Sequence, residues 1–448
     1  MQNELLNSAT WEYVRLHADD DVRQLALRGC KIPGVDLTRA LQQIQGRQTA
    51  RRKLPSWAAL DGIVYPPHLN MEQCSSEPTA RYKAKIIDDL QRKTVNRRLL
   101  DLTGGFGADF AFMSEGFTEA VYVERNEELC AIAAHNFRLL GLDNVTTVCA
   151  DAETAPPSIL PPPSTLHSPP STLIYLDPAR RDTNGAARIV NGKLVNRKYF
   201  ALADCTPNVI TMMPGLLARA DHVMLKLSPM LDWRKAIADL APHHVSQVHI
   251  VAVDNECKEL LLLLTNQGTG EQDGDNESNV SHKPPLLTCT DIHSNDNSCT
   301  VYSPLTPHLS PLTSHPLPLT PGGGSAPAFL YSPNAAVMKA GCFSELYADL
   351  GIAQLSANSH LFCSDRLIEG FPGRCFRIQA SCSMNKRELR ATLGHLSQAN
   401  IAVRNFPLTA EQLRRRLRLA DGGSNYIFAT TLTDNSHRLF LCNMISRQ

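Results

Sequence analysis

Residues 99 to 109 read Leu99-Leu100-Asp101-Leu102-Thr103-Gly104-Gly105-Phe106-Gly107-Ala108-Asp109. An apolar strand ends in an acid, enters a glycine-rich turn and opens a helix. Glycines let a backbone turn sharply and approach a ligand closely. The N-terminus of the following helix offers free N–H groups and the positive end of a dipole, which suits a carboxylate or phosphate. The nicotinamide fingerprint Gly-x-Gly-x-x-Gly is not met. Two more acids follow at strand ends. Glu124 closes Ala120-Val-Tyr-Val-Glu124, where a carboxylate can accept both hydroxyl protons of a ribose. Asp151 follows Val145-Thr-Thr-Val-Cys149-Ala150, where a carboxylate can sit near an adenine amine. For either acid alone the bland alternative is a solvated carboxylate. Three in strand order behind a glycine turn are more specific.

A fourth strand ends in Leu173-Ile-Tyr-Leu-Asp177-Pro178-Ala179-Arg180-Arg181. Proline fixes the turn and directs carbonyls outward. An amine that reacts through its lone pair needs acceptors to orient it, and Asp177 and the Pro178 carbonyl can supply them. Arg180 can contact a phosphate or stack on a base; the alternative is a structural turn with solvated arginines. The fifth strand ends in Lys226-Leu-Ser228, near the mouth of the same site or solvated. Upstream, Ser76 and Pro78 have the form of a capped helix start, which places Thr79 and Lys83 on one face. That segment is either a lid over a ligand or a plain capped helix.

These groups need a scaffold. Residues 1–66 show apolar spacings near three and four, which predicts a helical N-terminal region. Its basic run, Arg47 to Lys53 before Trp57, is a solvated helix face or a phosphate patch with a stacking indole. Residues 67–267 alternate short apolar strands with helices, the pattern of a doubly wound, mostly parallel α/β sheet. The last two strands, 249–253 and 260–264, leave no room for a crossover helix and should form an antiparallel hairpin. Pro156 to Thr172 reads as a surface loop. Residues 268–326 are rich in Gly, Asp, Asn, Ser and Pro, and are expected to be a low-complexity disordered insertion. Beyond it, a helix over 335–350, a strand over 374–380, a helix over 385–400 and a terminal hairpin predict small α+β modules.

Composition narrows the function. The 448 residues carry 44 basic and 44 acidic side chains, which excludes a uniformly basic nucleic-acid coat but not a local patch. Between Phe371 and Ala420 ten bases face only two acids, a local excess that suits a phosphate backbone or an acidic docking surface. Apolar runs are too short to span a membrane. The 13 cysteines contain no Cys-x-x-Cys pair, so neither a metal site nor a disulfide framework is expected, and a reduced, cytoplasmic protein is.

The acid and glycine turn resemble motif I of class I S-adenosylmethionine (SAM) methyltransferases. Asp177-Pro178 occupies the position of the Asp/Asn-Pro-Pro-x motif of enzymes that methylate base amines, with Ala179 replacing the second proline and Arg180-Arg181 the usual aromatic. Further segments extend the likeness: Glu72-Gln-Cys-Ser75-Ser76-Glu77, Tyr331-Ser-Pro-Asn-Ala-Ala-Val-Met-Lys339, Asn358-Ser-His-Leu-Phe362, Phe371-Pro-Gly-Arg374 and Val403-Arg-Asn-Phe-Pro407. Together they resemble the bacterial class I SAM methyltransferases that carry a THUMP-like domain. The resemblance implies a Rossmann-like sheet over 67–267, a ferredoxin-like segment over 327–371 and a THUMP-like domain over 372–448. It implies SAM as cofactor, held by Asp101, Thr103, Gly104, Gly105, Gly107, Glu124, Asp151 and Thr79. Asp177, Pro178 and Arg180 would serve the acceptor, and the substrate would be structured RNA such as tRNA or rRNA. The alternatives are a small-molecule or protein methyltransferase, and a non-catalytic RNA-binding protein that keeps a SAM pocket.

Overall fold

The computed structural model describes residues 5–91, 96–154, 159–160, 171–180, 188–190, 193–195, 202–266, 284–305, 327–356 and 358–445. The chain divides into two compact units, residues 1–246 with 260–282, and residues 247–259 with 283–448. The Pro156–Thr172 loop expectation falls largely outside the described residues.

The first unit opens with helices α1 (Ser8–Leu16), α2 (Val22–Arg28) and α3 (Leu37–Lys53). Asn7, Asp21 and Asp36 each cap a helix by accepting a backbone N–H, so all three starts are written in the sequence. Tyr13, Val14, Leu25, Ala40 and Ile44 form their shared core. The proposed stacking role of Trp57 is overturned: its side chain is buried and meets the Phe106 ring edge-on at 5.1 Å. The basic run is also occupied. Arg51 pairs with Asp19, Arg47 with Asp61, and Lys53 Nζ donates to the Met71 carbonyl at 2.9 Å.

The Rossmann-like sheet of this unit follows. Its strands are β1 (Arg97–Asp101), β2 (Glu119–Glu124), β3 (Val145–Cys149), β4 (Ser171–Leu176) and β5 (His222–Leu227), all parallel, in the order β3-β2-β1-β4-β5. Helices α4 (Glu77–Gln91), α5 (Ala108–Ser114) and α6 (Glu127–Leu139) flank them. Leu99, Leu100, Ile174, Leu176, Val223 and Leu225 are fully buried, as a parallel sheet covered on both faces requires. The register matters for function: Asp101 pairs with Tyr175, and Leu176 with Leu225, so the next residues, Asp177 and Lys226, emerge side by side.

Strands β6 (Val245–Val253) and β7 (Glu256–Thr265) bear out the expected hairpin. They turn through Asp254 and Asn255, whose φ values are 48° and 64°, the conformation of a two-residue turn. The end of β7, residues 260–265, runs antiparallel to β5.

In the second unit, β6 lies parallel to β8 (Leu286–Ile292), and β8 antiparallel to β9 (Cys299–Tyr302). This corrects the expectation of disorder throughout 268–326. Leu287, Cys289 and Ile292 are buried, and a short half-apolar strand of seven residues was hidden by the Gly, Asn, Ser and Pro on either side of it. A second sheet has the order Ala353–Gln354, β11 (Phe362–Ser364), β10 (Phe329–Pro333), β12 (Gly373–Cys382), β15 (His437–Met444), β14 (Asn425–Thr431), β13 (Asn400–Arg404). The helix expected over 335–350 is two helices, Ala335–Ala340 and Phe343–Leu350, because Gly341 takes φ +66° and caps the first.

Candidate functional site

The site lies in the first unit, at the carboxyl ends of β1, β2, β4 and β5, where ligands of open α/β sheets bind. Thr103 joins two of these ends. Its N–H donates to Asp101 Oδ1 at 2.8 Å, and its hydroxyl accepts the Asp177 N–H at 2.6 Å. The turn that follows needs its glycines for different reasons. A Cβ on Gly104 would sit 2.0 Å from the Tyr122 ring, so that position serves packing. Gly105 takes φ +56° and faces nothing nearer than the Thr103 carbonyl, so it borders open space. Gly107, also left-handed, opens α5 against the Phe137 ring.

Glu124 crosses from β2 to this turn. One oxygen accepts the Gly105 N–H at 2.8 Å and the other the Asn126 N–H at 2.8 Å. Two amides fix the carboxylate and leave each oxygen further acceptor capacity, as binding a pair of ribose hydroxyls requires. Asp101 is buried. Burial pushes its carboxyl well above the usual range; the Thr103 N–H opposes this, and the nearby carboxylates of Asp109, Asp177 and Glu124 add to it. A cationic ligand would relieve that excess of negative charge. SAM carries a sulfonium and an ammonium, so the residues present fit it.

Deeper in the unit lies a buried charged cluster that sequence reasoning did not assemble. Asp109, in the first turn of α5, meets Lys83 Nζ at 3.1 Å and Lys226 Nζ at 3.2 Å. It also accepts the Ser75 hydroxyl at 2.7 Å and the Tyr175 hydroxyl at 2.8 Å. Burial raises its carboxyl, but the two lysines and two hydroxyls outweigh burial and hold it below the usual range. Lys226 then reaches outward: its Nζ is 2.9 Å from Ser75 Oγ and 2.6 Å from Asp177 Oδ2. The bland expectation for Lys226, a solvated strand end, fails, since it is only 9% exposed. Asp109 and Lys83 were visible as residues, but only the fold brings α4, α5, β4 and β5 together.

The remaining expected residues fall as follows. Pro178 is buried beside Asp177. The backbone of Arg180 pairs with Cys205; its side chain lies outside the described residues. Thr79 is buried in the first turn of α4, its hydroxyl donating to the Ser76 carbonyl at 3.0 Å. Asp151 is more open: one oxygen accepts the Glu153 N–H at 2.8 Å, the other stands 3.9 Å from Arg125. The structure thus gathers Asp101, Thr103, Gly105, Glu124 and Asp177 closely. Among the described residues no cluster of metal-ligating side chains occurs, and no helix is long and apolar enough to cross a membrane.

In the second unit, two of the arginines of helix Ala410–Leu417 are paired within their own segment, Arg415 with Glu411 and Arg414 with Asp421. Arg418 ends that helix with φ 58°.

The first unit has the Rossmann-like fold of class I methyltransferases, with an acid and a glycine turn where that fold binds its ligand. At the C-terminus, residues 329–372 match a ferredoxin-like domain family and residues 373–444 the THUMP domain-like family. The whole chain is similar to the crystal structure of a "putative methyltransferase" from Porphyromonas gingivalis W83, with 28% identity, 98% of each chain covered and a TM-score of 0.78. Weaker likenesses include a "putative class I S-adenosylmethionine-dependent methyltransferase" from Listeria monocytogenes (10% identity, 64% of this chain and 93% of that one, TM-score 0.37). Another is an rRNA methylase from Streptococcus thermophilus (12%, 42% and 94%, TM-score 0.29). No curated protein sequence matches the chain.

Proposed function

We propose that this protein is a SAM-dependent methyltransferase that acts on a base nitrogen of structured RNA, tRNA or rRNA. The observation that carries the reading is the pairing of two half-sites on neighbouring strand ends. On one side, Gly105 and Glu124 form a fixed nucleoside cradle joined by a 2.8 Å hydrogen bond. On the other, Asp177-Pro178 presents acceptors, tied to the cradle by the 2.6 Å contact from Asp177 N–H to Thr103 Oγ1. SAM, when bound, supplies an already reactive methyl group. The protein's contribution is then placement. Asp101, Thr103, Gly104, Gly105, Gly107, Glu124, Asp151 and Thr79 would hold the cofactor. Asp177 and the Pro178 carbonyl would orient the acceptor nitrogen, and Arg180 would engage the substrate.

RNA is favoured over a small molecule because the THUMP-like region carries the local basic excess: Arg374 to Arg418 contribute ten bases against two acids. Cytoplasmic location follows from this reading. Two experiments test it. Calorimetry should show SAM binding, and mass spectrometry of nucleosides should find one methylated base missing from RNA of cells that lack the gene. An unchanged nucleoside profile in tRNA and rRNA would sink the RNA reading. Replacing Arg414, Arg415, Arg416 and Arg418 with Glu should weaken RNA binding and flatten its salt dependence, by about one unit of log–log slope per lost phosphate contact. Equal slopes in both proteins would remove this helix from the RNA site.

A further inference from the structure

We propose that Lys226 is a positioning residue that holds Asp177 as an ionised hydrogen-bond acceptor, and that the site therefore takes a neutral, sp2-type nitrogen and rejects an alkylammonium. The acceptor class rests on the methyltransferase reading; the role of Lys226 toward Asp177 does not.

The geometry is one-directional. The inner side of Lys226 is fixed by Ser75 Oγ at 2.9 Å and Asp109 Oδ2 at 3.2 Å. Asp109 is itself tied to Lys83 at 3.1 Å and to the Tyr175 hydroxyl at 2.8 Å. The outer side of Lys226 meets Asp177 Oδ2 at 2.6 Å, while Asp177 is more open, with 39% of its side chain exposed. A buried ammonium anchored from behind thus presents its charge to a half-open carboxylate. An opposite charge so close favours the ionised acid and makes it a weaker base. Among the described residues, Asp101, whose carboxyl feels Asp177, and Cys74, whose buried thiol feels Lys226 and Asp109, also face the pair.

This arrangement selects among acceptors. A lysine-type amine is protonated at neutral pH, with a reference pKa of about 10.4, and must lose a proton before it has a lone pair to offer. A carboxylate weakened by Lys226 cannot drive that loss. A nucleobase amine is neutral. Its nitrogen lone pair forms the N–C bond as the C–S bond breaks and its electron pair stays on sulfur. The nitrogen becomes cationic and strongly acidic only then, and its proton passes to Asp177 and on to water. A weak base suffices.

The first arm of the test works without a substrate. In protein labelled with 13C at aspartate Cγ, the Asp177 signal is identified by its loss in Asp177→Asn. Its titration midpoint should rise by at least about one pH unit in Lys226→Met and stay near wild type in Lys226→Arg. An unchanged midpoint in Lys226→Met overturns the positioning role; if that variant does not fold, Lys226→Gln takes its place under the same criterion. A second arm incubates the wild type with methyl-labelled SAM and total RNA or total protein from cells lacking the gene. Label in RNA is expected, and label on protein lysines overturns the acceptor class. Failure of the wild type to bind SAM in calorimetry would instead sink the methyltransferase reading, and the carboxyl titration would still decide the role of Lys226.

Discussion

Charged side chains are used in opposite ways in two parts of the molecule. In the first unit, Lys83, Asp109 and Lys226 are buried, with Asp177 half-open at the edge. In the second unit, Arg415 and Glu411 pair with side chains 78% and 68% exposed. A buried charge is costly unless it is paired and hydrogen-bonded, so every member of the first group has a partner on another element. The exposed arginines are already solvated, and their ion pairs compete with water and salt. The first group is held by partners on other elements and is expected to behave as a rigid network. The second is a surface whose charges are open to solvent and so stay adaptable.

The sharpest way to break this contrast is to remove the hub. Asp109→Ala leaves two buried lysines facing each other, and breaking a buried pair costs about 3–5 kcal/mol. Denaturant unfolding should show that loss at neutral pH. A change below about 1 kcal/mol would mean that the lysines regain water and that the cluster is not rigid. The sign with pH follows from Asp109. Its folded carboxyl lies below the usual value, so its stabilising contribution is present above the ordinary aspartate range and is lost as pH falls below it. Next in size is Glu124→Ala. Deleting a charged acceptor should weaken SAM binding by roughly 1.5–3 kcal/mol in calorimetry, and unchanged affinity in the folded variant would sink the ribose role.

What was legible in the sequence was what local pattern controls. The strands ending at Asp101, Glu124 and Leu176 can be read from periodicity and side-chain type. So can the hairpin after β6, since Glu256–Thr265 follows with no room for a helix. What failed had competing signals. Leu286–Ile292 is a short strand inside polar, proline-rich sequence, so average composition hid it. Trp57 follows four bases yet points inward to Phe106, because a basic helix can bury the indole beyond its end. The charged cluster was illegible for another reason. Asp177 and Lys226 are 49 residues apart and meet through the register of β4 and β5, which no local pattern encodes.

Asp101→Asn sharpens the contrast from inside the site. Burial, countered by the Thr103 N–H but reinforced by neighbouring carboxylates, raises the Asp101 carboxyl in the free protein. An acid with a raised folded value favours the folded state at low pH, and that contribution declines as pH rises from the ordinary aspartate value toward the folded one. The neutral amide can still accept the Thr103 N–H. The variant should therefore melt at or above the wild-type temperature at neutral pH without ligand, and should lose the further rise expected of the wild type when SAM is added. A lower melting temperature without ligand would mean that the charged form is already compensated within the protein.

The smallest effect is expected on the exposed side. Arg415 and Glu411 lie one turn apart on a helix, and such pairs contribute about 0.3–0.5 kcal/mol at low salt. Arg415→Ala should change stability by no more than that, and the difference should vanish in high salt because the pair is open to counter-ions. Thermal melts of the wild type and variant at low and high ionic strength measure it directly. A salt-independent loss above about 1 kcal/mol would show that Arg415 is bound into the fold rather than left available, and the division between a rigid charged site and an adaptable charged surface would fail at the helix on which it rests.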